Sequence, residues 1–161
     1  MTNPLRPVVG HGVAVRAKRG WALQVRPAEI EFWRQAAGRL MADWGASTAV
    51  TDVVRLGVSE LLANVSRHVE DQRCRLNVTR AGGDVLVEVV DRSNQPPLVG
   101  EVPDWNAESG RGLWMLREMV DDFGYMPRPY ALRVARRGTV LRMGKTVWFS
   151  CKAVLPERGV G

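Results

Sequence analysis

Two polar residues that could carry chemistry stand one helical turn apart in an apolar segment. Glu60 and Asn64 lie between Val58 and His68. Residues four apart on a helix project in the same direction, so Glu60, Asn64 and His68 can line one wall of a cleft. The carboxylate can accept a proton from a hydroxyl group that attacks a phosphate, and the amide oxygen can ligate Mg²⁺. Taken alone, this spacing is also typical of a solvated helix surface.

A single carboxylate, Asp91, follows the strand-like run from Val85 to Val90. A carboxylate in this position is either a turn former that bonds to backbone amides or a recognition group. In an apolar pocket it would accept a hydrogen bond from a donor such as the exocyclic amine of adenine. Both interpretations remain open at this point.

A short glycine-containing turn, Ser109-Gly-Arg-Gly-Leu113, precedes a predicted helix. Gly110 and Gly112 would let backbone N–H groups approach anionic oxygens at the positive end of that helix. Arg111 could clamp a terminal phosphate with two parallel hydrogen bonds. The alternative is a plain loop-to-helix junction that Ser109 caps.

The elements that position these residues follow from hydrophobic spacing and turn signals. Three- and four-residue spacing predicts helices over 28–44, from Ser47 or Thr48 to His68, and over 112–122. Strands are predicted at 20–26, 73–80, 85–90, 130–135 and 146–151. This order predicts an α+β fold, a two-layer sandwich of a mainly antiparallel mixed sheet with helices on one face. The chain, 1–161, is expected to form one domain with a core at about 28–151 and loose termini at 1–12 and 152–161.

Composition narrows the function classes. The chain has 161 residues, 45% hydrophobic content and a net charge of +6. It contains no apolar run of the roughly 20 residues that cross a bilayer and no signal-peptide core, so a cytoplasmic protein without membrane contact is expected. Cys74 and Cys151 have no CxxC partner, which argues against a metal cage. The positive residues are mostly scattered arginines, so direct nucleic acid binding is the minor interpretation.

The ordered motifs resemble those of the GHKL superfamily of ATPases, specifically the small anti-sigma factor serine/threonine kinases of bacteria, including the actinomycete type. Over about residues 28–151, the segment from Ser59 to His68 is similar to the N-box. The first and second glycine boxes are matched by 89–93 and 108–113, and the closing strand by 144–149. The resemblance implies a Bergerat-type ATP-binding fold, with ATP and Mg²⁺ as cofactors.

The resemblance also implies roles for individual residues. Glu60 would be the general base, Asn64 the Mg²⁺ ligand and Asp91 the acceptor for the adenine amine. Thr146 would support adenine through a water shared with Asp91, and Ser93 would make the turn that glycine usually makes. The second glycine box would hold the phosphates through Gly110, Arg111, Gly112 and Leu113. His68 would edge the phosphate region or serve as a structural histidine.

The implied function is an anti-sigma factor that phosphorylates an antagonist. The expected partners are a sigma factor, a STAS-type anti-anti-sigma protein and a second copy of the chain in a homodimer. The segment between Asp91 and Gly110 has no glycine-rich lid sequence apart from Gly100. The alternative is therefore a catalytically weak or inactive ATP-binding module that regulates a partner protein by docking.

Overall fold

The computed structural model describes residues 15–97 and 111–157. One sheet contains β1 (Val15–Gln24), β2 (Arg73–Ala81), β3 (Asp84–Asp91), β4 (Asp122–Val134) and β5 (Gly138–Cys151). The helices are α1 (Ile30–Asp43), α2 (Thr48–His68) and α3 (Arg111–Met119), with a short 3-10 turn, Pro27–Glu29, before α1. The strand order is β1-β2-β3-β5-β4, and every neighbouring pair is antiparallel.

Local sequence signals account for the boundaries of the helical layer. Gly45 has a φ of +82° directly after α1, a conformation that glycine adopts without steric cost. Ser47 then caps α2, because its hydroxyl oxygen accepts a hydrogen bond of 3.2 Å from the backbone N–H of Val50. α2 begins at Thr48 and ends at His68, which confirms both predicted boundaries.

The core lies between α2 and one face of the sheet. The apolar side of α2 supplies Val54, Val58, Leu61, Leu62 and Val65, all at most 1% exposed. Gly57 lets the helix approach closely, since a Cβ atom at this position would overlap the ring of Phe149 on β5. Alternate strand residues face the helices, and the intervening ones lie on the opposite face of the sheet. This alternation decides which strand side chains lie beneath the helices and which lie on the other face.

The α+β fold with helices on one face is confirmed, although all strand pairs of the described part are antiparallel rather than mixed. The last two strands are much longer than predicted. Pro127 and Pro129 interrupt the β-signal in β4, but β4 is the edge strand, where a residue without an N–H donor is tolerated. No helix in the described ranges is long and apolar enough to span a membrane.

The expectation of a loose C-terminus from residue 152 is wrong for its first part. The backbone N–H groups of Val154 and Leu155 both donate to the carbonyl of Gly83 at 2.9 Å. Arg80, 2% exposed, donates to the carbonyl of Pro156 at 2.5 Å and to that of Trp44 at 3.2 Å. Three expectations concern residues outside the described ranges. They are the loose N-terminus at 1–12, the missing lid sequence from residue 98 onward and the phosphate contact of Gly110.

Candidate functional site

The polar face of α2 meets the beginning of α3. Glu60 is half-buried on α2, and a Cβ atom built at Gly112 would overlap its carboxylate. The carboxylate therefore lies directly against the backbone at the first turn of α3, and a side chain at position 112 would displace it. Asn64, one turn further along α2, is 8% exposed. Glu60 of the predicted wall and Gly112 of the second glycine motif are thus neighbours in space.

The environment of Glu60 favours its protonated form. Burial raises the pKa of this carboxyl group above its ordinary value of 4.5, and the positive charge of Arg67 opposes that shift in part. A carboxylate with a raised pKa is a better proton acceptor than a fully solvated one, as a general base near neutral pH requires.

Asp91 ends β3 with its side chain fully buried and its two oxygens in different situations. Oδ1 accepts a 2.8 Å hydrogen bond from the backbone N–H of Ser93 and one of 3.0 Å from Nζ of Lys145. Oδ2 is buried and has no hydrogen-bond partner among the described residues. An orphaned acceptor in a buried position matches a ligand that donates a hydrogen bond.

Burial raises the pKa of Asp91, while three other contacts change it by smaller amounts. The hydrogen bond and charge of Lys145 and the Ser93 N–H lower the pKa, and the charge of Asp71 raises it. The Lys145–Asp91 ion pair is almost completely buried, with side-chain exposures of 4% and 0%. The Asp91 carboxylate is therefore held by the Lys145 ammonium group in a position that water hardly reaches.

The expectation for Thr146 needs correction. Asp91 pairs directly with Lys145 across β3 and β5, so these two side chains share the helix-facing side of the sheet. Thr146 is next along β5 and points to the opposite face, where it lines a cavity with Glu88, Met126 and Trp148. Thr146 therefore cannot share a water with the Asp91 carboxylate, and Lys145 occupies the position beside it.

Lys145 is the site residue that the sequence reasoning missed. Strand alternation could have found it, because Val147 and Phe149 belong to the same buried face and Lys145 precedes them by two and four residues. A lysine in phase with a buried apolar stripe requires a partner for its charge. Asp91, the lone carboxylate at the end of the neighbouring strand, is that partner.

The remaining predicted site residues are placed less centrally. His68 is exposed at the end of α2 and lines a groove of about 1080 Å³ with Ser93. Arg111 is exposed on the first turn of α3. Leu113 is 4% exposed and belongs to the core, so only its backbone can face a ligand.

A family model for the histidine kinase-like ATPase domain matches residues 23–145, most of the chain. The chain belongs to the histidine kinase-like ATPase family. No curated protein that was compared with the chain matches it. The histidine kinase-like ATPase domain binds ATP, typically with Mg²⁺.

The residues of this ATPase domain fit an adenine nucleotide. Oδ2 of Asp91 is a buried acceptor without a partner among the described residues, which an amine such as that of adenine would satisfy. The N–H groups of the first turn of α3 would suit the phosphates. No group of three or more His, Cys, Asp and Glu side chains in the described ranges could hold a metal. An Mg²⁺ ion at Asn64 would accordingly take further ligands from the phosphates and water, as this ion commonly does.

Proposed function

We propose that this protein is an ATP-binding bacterial regulator, an anti-sigma factor with serine/threonine kinase activity toward a STAS-type anti-anti-sigma protein. The observation that carries the proposal is the contact between the Glu60 carboxylate and the backbone of Gly112. It brings a candidate general base next to the helix start where phosphates would bind. A domain that only held nucleotide would not need a carboxylate at this point, close to the anionic end of its ligand.

In this proposal each residue has one task. ATP supplies the phosphoryl group. Glu60 accepts the proton of the partner's serine hydroxyl group. At the same time the serine oxygen bonds to the γ-phosphorus, and the bond from this phosphorus to the leaving ADP oxygen breaks. The amide oxygen of Asn64 would hold Mg²⁺, and that ion would supply positive charge between the phosphates and the carboxylate. Oδ2 of Asp91 accepts the hydrogen bond from the adenine amine, while Lys145 and Ser93 fix the carboxylate through Oδ1.

The kinase activity is tested with radiolabelled ATP, Mg²⁺ and candidate antagonist domains. Wild-type protein should transfer label to a serine of one candidate, and Glu60→Gln should reduce the rate by about 10²–10⁴-fold while retaining ATP binding. The matched control is Glu70→Gln, which changes an exposed glutamate just beyond α2 and should leave transfer unchanged. Wild type that binds Mg-ATP but transfers no more label than Glu60→Gln contradicts the kinase proposal and supports the docking module.

The proposed partners require a separate experiment. The tagged protein, with and without Mg-ATP, would capture binding proteins from extract of its own cells, and mass spectrometry would identify them. Recovery of a sigma factor and a STAS-domain protein supports the proposal. If the extract contains both a sigma factor and a STAS-domain protein, and the tagged protein captures neither in the presence of Mg-ATP, the proposal is contradicted. Light scattering measures the molar mass of the purified protein and thus tests the proposed homodimer.

A further inference from the structure

Another cavity, of about 240 Å³, lies where β2 begins and β3 ends. Four arginines line it, Arg73, Arg75, Arg92 and Arg128, together with the apolar groups of Val90, Pro129 and Tyr130. The guanidinium of Arg92 lies over the Tyr130 ring, with Cζ 5.2 Å from the ring centroid. Cationic and aromatic groups therefore surround the same small space.

Strand geometry brings these arginines together on the face opposite the helices. Cys74 and Leu76 face the core, so Arg73 and Arg75 alternate to the other side, where Arg75 is paired with Val90. Arg128 on β4 is paired with Gly144 on β5. Gly144 adds no side chain here, and a Cβ atom at this position would overlap the Asp91 carbonyl oxygen. The strand between Arg92 and Arg128 thus contributes backbone alone.

The positive charge of this cavity is poorly neutralised. Within the described ranges, Arg92 alone of the four forms an ion pair, with Asp71 at 3.9 Å, and both side chains are substantially exposed. Asp91 is the acidic residue among those that line the cavity, but its side chain lies on the helix-facing side of the sheet, where it pairs with Lys145. The sequence from Phe123 to Pro156 contains no Asp or Glu. Four like charges around one cavity repel one another, and an anion bound between them would remove that repulsion.

We propose that this cavity, the arginine pocket, binds a phosphate monoester with a small apolar or aromatic organic part. Guanidinium groups match phosphate oxygens through paired hydrogen bonds, which an ammonium group cannot reproduce. Tyr130, Pro129 and Val90 provide the surface on which the organic part packs. The pocket volume is below the usual range for drug-sized ligands, which fits a small monoester. The phosphate source is a free metabolite or a phosphorylated side chain.

Titration calorimetry with phenyl phosphate, inorganic phosphate and phenol tests this assignment. Phenyl phosphate should bind about tenfold or more tightly than inorganic phosphate, because its ring adds contact area, and phenol should not bind measurably. A phosphotyrosine peptide and a free sugar phosphate then distinguish the two sources, and the tighter ligand identifies the source.

Variants locate the binding. Arg75→Ala and Arg128→Ala should each weaken phenyl phosphate binding about tenfold or more, since each removes charge-assisted hydrogen bonds. The matched control Arg39→Ala removes an exposed arginine from α1 and should change nothing. Circular dichroism establishes that each variant is folded, and ATP affinity should be unchanged. Equal weakening by Arg39→Ala, binding of inorganic phosphate as tight as that of phenyl phosphate, or complete displacement of phenyl phosphate by ATP would overturn the proposal.

Discussion

Replacing Lys145 with Met should destabilise the protein in a strongly pH-dependent way. The substitution keeps the side-chain length and removes the charge that Asp91 contacts at 3.0 Å, which leaves a fully buried carboxylate with the Ser93 N–H as its donor among the described residues. Removing one partner of a buried ion pair costs about 3–5 kcal/mol. The free energy of unfolding should fall by that amount at pH 8.

The sign of the pH dependence follows from the pKa of Asp91. Lys145 lowers this pKa against the effect of burial, so the variant should raise it further above the unfolded value. A carboxyl group with a raised folded-state pKa favours the folded state at low pH, and this contribution is lost as pH rises through the folded pKa. The deficit of Lys145→Met should therefore be small near pH 4 and grow toward pH 8, as Asp91 ionises.

Guanidinium chloride denaturation, followed by tryptophan fluorescence from pH 4 to pH 8, measures both effects. The double variant Asp91→Asn/Lys145→Met should recover about 1–3 kcal/mol relative to the sum of the single changes. Lys152→Met is the control, because Lys152 pairs with Asp122 at 2.9 Å on the exposed surface and should leave the unfolding curve unchanged. A deficit that is the same at pH 4 and pH 8, or a double variant whose loss equals the sum, would refute the reasoning.

Three further substitutions test other contacts. Glu60→Gln removes a carboxyl group whose pKa is raised by burial and whose ionisation therefore destabilises the folded state. In chemical denaturation at pH 8, the free energy of unfolding should rise by about 1.4 kcal/mol for each unit by which that pKa is raised. No gain is expected below pH 4.5, where the group is protonated in both states. Gly57→Ala should cost about 1–3 kcal/mol in the same assay, since its Cβ overlaps Phe149; an unchanged midpoint would contradict this close packing. Gly112→Ala should weaken ATP binding about tenfold or more in calorimetry, because the new methyl group displaces the Glu60 carboxylate; unchanged affinity would show that this contact does not shape the site.

The sequence predicted the helical layer well because its signals are local. The start of α2 depends on a hydroxyl at Ser47, and the end of α1 on the backbone freedom of Gly45, both of which can be identified from a few neighbouring residues. The length of β4 could not be predicted in this way. Whether Pro127 and Pro129 end a strand depends on which strand lies at the sheet edge, and strand order is a property of the whole fold.

The candidate site shows the same division between local and non-local information. The helical spacing of Glu60 and Asn64 and the isolated position of Asp91 were visible in the sequence. The choice between Lys145 and Thr146 required the pairing register of β3 and β5, because a shift of one residue exchanges the two faces. The arginine pocket was not predicted, since its side chains come from the β2–β3 hairpin and from β4, which are distant in sequence.

The unequal pairing of β5 along its length has a consequence for local stability. Lys145–Ser150 in its second half pairs with both β3 and β4, whereas Gly138–Gly144 pairs with β4 alone in the described part of the chain. Backbone hydrogen bonds in a two-stranded segment open more readily than those in the interior of a sheet. We therefore expect the projecting half of this strand to open while Lys145 and the sheet core remain in place, so that hydrogen exchange is faster in Gly138–Gly144 than in the half paired on both sides.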